Sequence, residues 1–162
     1  MPINIKRPGP RSLAATVGIA TATLLATYVP KFEGMVLKTY RDPIGVLTYC
    51  DGETQGAVLG RTYTPDQCRA MLSARLVQFA DGVDGCIDAP LTDYQRAAAI
   101  SLAYNIGVAR FCGSSVAHHF NAREYAQGCA AISLYNQAGG HVVPGLVNRR
   151  RIERQICEGK IR

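Results

Sequence analysis

From Ser12 to Pro30 the chain carries no Asp, Glu, Lys or Arg. A helix of that length without charge needs an apolar surface to lie against, which means a protein core or a bilayer. Lys6, Arg7 and Arg11 precede the segment, as the basic region of a targeting sequence would. Within it Ala, Thr, Gly and Ser outnumber the strongly apolar Leu13, Val17, Ile19, Leu24, Leu25 and Val29. Its length is just enough to span hydrocarbon, yet the free energy holding it there is modest, so the segment is able to leave the bilayer. Three readings compete. A cleaved signal peptide lacks a suitable site: Ala20 to Ala22 comes too early, and Ala26 to Tyr28 ends on a large aromatic. A helix buried in a soluble core leaves the basic flank unexplained. An uncleaved signal anchor accounts for both features. It puts the N-terminus in the cytoplasm and the remainder outside. The expected division is residues 1–30 as basic region plus weak, releasable anchor, and residues 31–162 as a single domain.

The whole chain has 162 residues, enough for one domain with a proper core. Hydrophobic residues make up 48% and charged ones 19%, so the chain is ordered and globular. The formal charge of +6 favours anionic partners. Nucleic acid is set aside, because no zinc-finger spacing, RNA-binding aromatic signature or glycine-rich phosphate loop is present. Six cysteines, at 50, 68, 86, 112, 129 and 157, are widely spaced and form no C-x-x-C pair. An even number in a short chain that leaves the cytoplasm points to disulfides, with the pairing open.

Residues 39 to 64 are rich in Thr, Gly, Tyr and Val, with turn signals at Asp42-Pro43, Asp51-Gly52 and Gly60. They predict two or three short strands. Beyond them the pattern turns helical. Thr64, Pro65 and Gln67 form a capping signature, and Cys68, Met71, Leu72, Leu76 and Phe79 follow on one face. Thr92 and Gln95 repeat the signature before an apolar run from Ala97 to Tyr104, which predicts a central buried helix stopped by Gly107. Asn121 and Glu124 predict another helix, closed by Gly139-Gly140, and Pro144 to Cys157 a last, Arg-rich one ending at Gly159. The fold class is α+β: a mostly helical domain with a small antiparallel β region and an N-terminal anchor helix.

Three residues after the uncharged segment comes Glu33, then Asp42, then Thr48. Cleaving a glycosidic bond takes a general acid on the leaving oxygen and a second carboxylate as nucleophile or activator of water. Glu33 suits the acid, with apolar Phe32 and Met35 near it in sequence; Asp42 suits the second carboxylate, and Thr48 a group positioning water. Each alone is an ordinary loop residue. Their order, with Tyr40 and Gly45 between them, carries the weight.

The segment from Phe32 through Tyr40, Arg41, Asp42 and Gly45 to Thr48 resembles the active-site region of phage-type lysozymes, the endolysins of T-even and lambdoid phages. The likeness continues from Gln95 through Tyr104, Asn105 and Gly107. It returns at Ala138 to Gly140 and at Gly145 to Arg150, with Glu153 after it. The resemblance implies a lysozyme-like fold and a muramidase cutting between N-acetylmuramic acid and N-acetylglucosamine. It implies Glu33 as acid, Asp42 as water-activating base, Thr48 as water-positioning group, Arg149 as partner of Glu33, and Asn105 as a polar cleft residue, with Tyr40 supporting the site. A lytic transglycosylase, which needs only the acid, and a non-catalytic cationic wall- or membrane-binding protein are the alternatives.

The uncharged N-terminus is similar to the signal-anchor-release segment of some lambdoid endolysins. That likeness implies a tethered, inactive form at the host inner membrane, later released into the periplasm. Some relatives silence themselves through a cysteine in the anchor, but residues 1–49 here contain none, so control is expected to be steric. With no Trp in the chain, sugar stacking falls to Tyr or Phe. Peptidoglycan strands and the inner membrane are the expected partners, for a monomer with no cofactor and no metal. His118, His119 and His141 lack ligand spacing. The cations Arg149, Arg150, Arg151, Arg154, Lys160 and Arg162 suit either attraction to an anionic surface or a solvated helix end.

Overall fold

The computed structural model describes residues 11–161; Lys6, Arg7 and Arg162 lie outside the described residues. The uncharged segment forms two helices, α1 (Leu13–Val17) and α2 (Ile19–Glu33). Gly18, at φ 85°, ends one and begins the other. An L-residue rarely adopts that backbone, so glycine is what permits the break. Leu13, Val17, Leu24, Leu25 and Val29 are buried in the main core. Among the described residues no helix is long and apolar enough to cross a membrane. α2 runs through Pro30 to Glu33, so most of the uncharged segment and Glu33 belong to one helix.

Hydroxyls in this segment are satisfied in two ways. Thr16, Thr23 and Thr27 donate to the carbonyls of Ser12, Ile19 and Thr23, four residues back. Thr21 instead donates to Asp93 Oδ1 at 2.7 Å, across to another helix. Arg11 pairs with Asp81 at 2.7 Å, fastening the start of α1 to the domain.

Strands β1 (Val36–Arg41) and β2 (Leu47–Cys50) pair antiparallel, with Tyr40 opposite Thr48. A small second core forms beneath them, where Tyr49 and Tyr63 stack at 4.3 Å beside Cys50 and Cys68. Helix α3 (Pro65–Asp84) follows, and its expected capping box between Thr64 and Gln67 is present with both reciprocal bonds. So is that of Thr92 and Gln95 at the start of α4 (Asp93–Ile106). Every residue of α4 from Ala97 to Ala103 is buried, and α2, α3 and α8 (Pro144–Cys157) pack around it. Gly107, at φ 89°, stops α4 as expected.

Between α4 and α8 the chain differs from expectation. It makes three short helices, α5 (Val108–Cys112), α6 (Ser115–Asn121) and α7 (Tyr125–Ala131), then a 3-10 turn at Ile132–Leu134. Asn121 does not open a helix but ends α6. Its side chain accepts from the Asp88 N–H at 2.9 Å and donates to the Cys86 carbonyl at 2.8 Å, tying down the α3–α4 loop. Nor do Gly139 and Gly140 close a helix. With φ 57° and 79° they form the tight turn of a hairpin between β3 (Gln137–Ala138) and β4 (His141–Val142), as two consecutive positive φ values favour.

The open cysteine pairing resolves as Cys50–Cys68, Cys86–Cys112 and Cys129–Cys157, at separations of 18, 26 and 28 residues. Loop entropy alone assigns each about 3 kcal/mol of stabilisation. The three bonds tie β2 to α3, the loop after α3 to α5, and α7 to α8.

Candidate active site

Glu33 is the last residue of α2, where helix carbonyls converge and a cation is favoured. Arg149 of α8 supplies that cation. Its Nη1 donates to Glu33 Oε1 at 2.6 Å, and its Cζ lies 4.8 Å from the Phe32 ring centroid. The same guanidinium donates through Nε to Glu153 Oε1 at 3.0 Å and through Nη2 to the Ser101 carbonyl at 3.3 Å. Three elements, α2, α4 and α8, therefore meet at one side chain. Arg149 is nearly sealed at 6% side-chain exposure, while Glu33 keeps 20%. The Glu33 carboxylate is thus tied to a buried guanidinium while staying partly open to solvent.

Two adjoining hollows share Glu33 and Asn105. One is walled by Asp51, Arg75, Phe79 and Tyr104; the other by Phe32, Val143, Leu146 and Asn148. Asn105, near the end of α4, thus lines the same hollows as Glu33. Asp42, Thr48 and Tyr40 do not line either hollow and belong to the β1–β2 hairpin. Asp42 shapes the turn: its Oδ1 accepts the Ile44 N–H at 3.1 Å and the Val46 N–H at 2.8 Å. Both bonds fall on one oxygen. Thr48 is 5% exposed and donates to the Val46 carbonyl at 3.2 Å. Tyr40, its cross-strand neighbour, is 38% exposed. The arrangement can present a proton from Glu33 to a ligand in either hollow. It fixes a second carboxylate by backbone amides on the neighbouring hairpin. Among the described residues no group of His, Cys, Asp or Glu side chains could hold a metal ion.

Residues 30–153 match the family model for phage lysozyme. The chain belongs to the phage lysozyme family. This lysozyme is 34% identical over 154 residues to the SAR-endolysin of Enterobacteria phage P21, covering 91% of this chain and 93% of that one. It is 37% identical over 145 residues to the SAR-endolysin of Pseudomonas phage phiKMV, covering 86% and 89%. Among solved structures, a mutant of P22 lysozyme superposes with a TM-score of 0.77 at 31% identity, covering 83% of this lysozyme and 94% of the other.

Several groups that build the candidate site leave little mark in the sequence. Glu153 is fully buried. Its Oε1 accepts from Ser101 Oγ at 2.6 Å, Arg149 Nε at 3.0 Å and Arg150 Nη2 at 3.1 Å, and its Oε2 lies 2.7 Å from Arg150 Nε. Arg150 is therefore neither a solvated cation nor a wall-facing one. Burial lowers its pKa to about 10, still charged at neutral pH. Burial also pushes the Glu153 carboxyl up, against the pull of both arginines. Arg154 and Lys160 pair with Glu158 at the helix end. The spacing of Arg149, Arg150 and Glu153 was the available signal, because i, i+3 and i, i+4 place both arginines over one carboxylate.

Tyr104 and Asp51 complete the first hollow. Tyr104 meets Phe79 edge to face at 5.0 Å. Burial, then the Glu33 charge, pushes the Tyr104 phenol up to about 12, so it stays protonated. Arg75 is occupied by Glu53 at 3.0 Å.

Proposed function

We infer that this lysozyme is an endolysin, a muramidase that hydrolyses peptidoglycan between N-acetylmuramic acid and N-acetylglucosamine and so lyses the host cell. The observation that carries this reading is a half-open Glu33, fixed by Arg149 and facing two confluent hollows. Glu33 protonates the leaving oxygen. Asp42 acts from the hairpin through Oδ2, its other oxygen being held by amides, and activates the water with the Thr48 hydroxyl positioning it. Asn105 and Tyr40 support the glycan, and Arg149 orients the acid. The enzyme acts as a monomer on glycan strands, not on nucleic acid, and residues 31–162 carry the chemistry.

The test is product analysis on purified peptidoglycan. A hydrolase leaves reducing muramic acid ends, and Asp42→Asn should slow their formation about a hundredfold or more. Anhydro ends that persist in Asp42→Asn would instead establish a transglycosylase.

Residues 12–30 also serve as a releasable tether at the host inner membrane. Their hydroxyls support this. Thr16, Thr23 and Thr27 are satisfied within their own helices, so lipid would strand little polar surface. In the folded state the same segment fills the core. A helix held in lipid withdraws Leu24, Leu25 and Val29 from that core and keeps Glu33 from its place beside Arg149, so the tethered form is inactive. In cells with energised membranes the protein should sediment with the membrane fraction. After depolarisation by an ionophore it should be soluble in the periplasm. Soluble protein throughout would refute the tether.

A further inference from the structure

Asp51 is a buried carboxyl group without a partner. It follows directly on β2 and is 5% exposed, yet among the described residues neither of its side-chain oxygens has a hydrogen bond. Its neighbours are engaged elsewhere. Arg75 pairs with Glu53, and the Tyr104 hydroxyl lies 3.4 Å from the main-chain carbonyl of Asp51, not from its carboxyl group. The position is firmly held, because Cys50 before it is tied to Cys68. The residue is part of the wall of the Glu33 hollow, together with Tyr104, Phe79 and Asn105, with its carboxyl oxygens set just beneath the surface.

An unpaired buried carboxyl destabilises a fold. The usual structural uses of such a group do not apply here. Among the described residues it caps no helix, closes no ion pair and joins no metal cluster. What would satisfy it is a hydrogen-bond donor from outside the chain, an ordered water or a ligand. Sugar rings carry hydroxyl and acetamido N–H donors over their whole edge, and a carboxyl group fixed in a pocket wall is a strong acceptor for them.

We propose that Asp51 is a substrate-binding residue that accepts a hydrogen bond from a hydroxyl or acetamido N–H of the amino sugar seated against Glu33. This rests on reading the hollow as a glycan site. Phe79 and Tyr104 lie in the same wall, the aromatic residues that line it in a chain without Trp. The Asp51 carboxyl is pushed up by burial first and by the Glu33 charge second. Near neutrality it therefore weighs against the folded state, and a donor from the glycan relieves that tension.

The experiment separates binding from catalysis. The probe is a soluble tetrasaccharide of alternating N-acetylglucosamine and N-acetylmuramic acid. It is titrated calorimetrically into Glu33→Gln, Glu33→Gln with Asp51→Ala, and Glu33→Gln with Asp51→Asn, and all three proteins are melted. Asp51→Ala should weaken binding about tenfold or more, as loss of a hydrogen bond to a charged acceptor does. Asp51→Asn keeps the shape and a weaker acceptor, so it should bind less tightly than the parent and more tightly than Asp51→Ala. Both variants should melt at or above the parent temperature at neutral pH. A group raised in the folded state stabilises below its unfolded value and loses that stabilisation as pH rises through its folded one. The thermal gain of Asp51→Asn should therefore shrink towards pH 3, with Glu33, Glu53, Arg75 and Tyr104 being the other titrating groups facing it. Equal affinity in parent and variants, or a lowered melting temperature in Asp51→Asn, overturns the proposal while leaving the muramidase reading intact. A parent that does not bind the tetrasaccharide overturns both.

Discussion

Glu33→Gln should abolish clearing of purified peptidoglycan, lowering the initial rate by about a hundredfold to ten-thousandfold. The substitution removes the transferable proton and little else. Glutamine has the same length, and its amide oxygen can still accept from Arg149 Nη1, which now donates to Glu33 at 2.6 Å. The buried contacts of α2 lie at Leu24, Leu25 and Val29, a turn or more away from the substituted group. The melting temperature should accordingly drop by only a few degrees, about the size of one weakened ion pair. Turbidity loss on cell-wall suspensions, followed beside a thermal melt, measures both quantities. A variant that keeps a tenth of the wild-type rate would move the acid elsewhere, and Asp51 would be the next carboxyl to examine on the same wall. Loss of activity with loss of structure is distinguished by the melt.

Part of the candidate site was legible because the proposed chemistry calls for residues in a short, ordered run. Glu33, Asp42 and Thr48 are close in sequence, but only Glu33 lines the hollows, while Asp42 and Thr48 stay on the neighbouring hairpin; the two capping signatures at Thr64 and Thr92 begin helices that contribute to the same walls. The run from Ala97 to Ala103 is apolar nearly all round, with Ser101 its one polar residue, as a central buried helix requires, and α4 is that helix. Other parts were hidden for physical reasons. Asp51 precedes a glycine, and Asp-Gly reads as a surface turn; its burial comes from packing by α3 and α4, which no local pattern encodes. Arg150 looks like one more cation in a basic helix, because a charge reads as solvated unless its partner is known to be buried with it. Asn121 carries a capping residue's identity, yet its hydrogen bonds go to a loop more than thirty residues away. The uncharged segment was legible as apolar but not as two helices, since the break at Gly18 costs nothing in hydrophobic pattern.

The second large effect lies in the support behind the acid. Glu153→Ala should destabilise the protein by about 3–5 kcal/mol, the usual result of removing one member of a buried ion network. Glu153 is the shared counter-ion of Arg149 and Arg150, whose side chains are 6% and 1% exposed. Without it two guanidinium groups stay in the interior with one carboxylate, Glu33, between them, and Ser101 loses its acceptor. For a chain of this size that loss amounts to a fall in melting temperature on the order of 10 °C. The double variant Arg150→Met with Glu153→Leu removes charge in pairs and restores apolar volume, so it should lose far less than Glu153→Ala alone. Activity adds a second readout. Arg149 is aimed at Glu33 through its bond to Glu153, so at a temperature where both variants are fully folded each should clear peptidoglycan more slowly than wild type. Equal stability of Glu153→Ala and wild type would mean that the α8 arginines find other partners. A fully active double variant would mean that Arg149 holds the acid unaided, through the Ser101 carbonyl and the Phe32 ring.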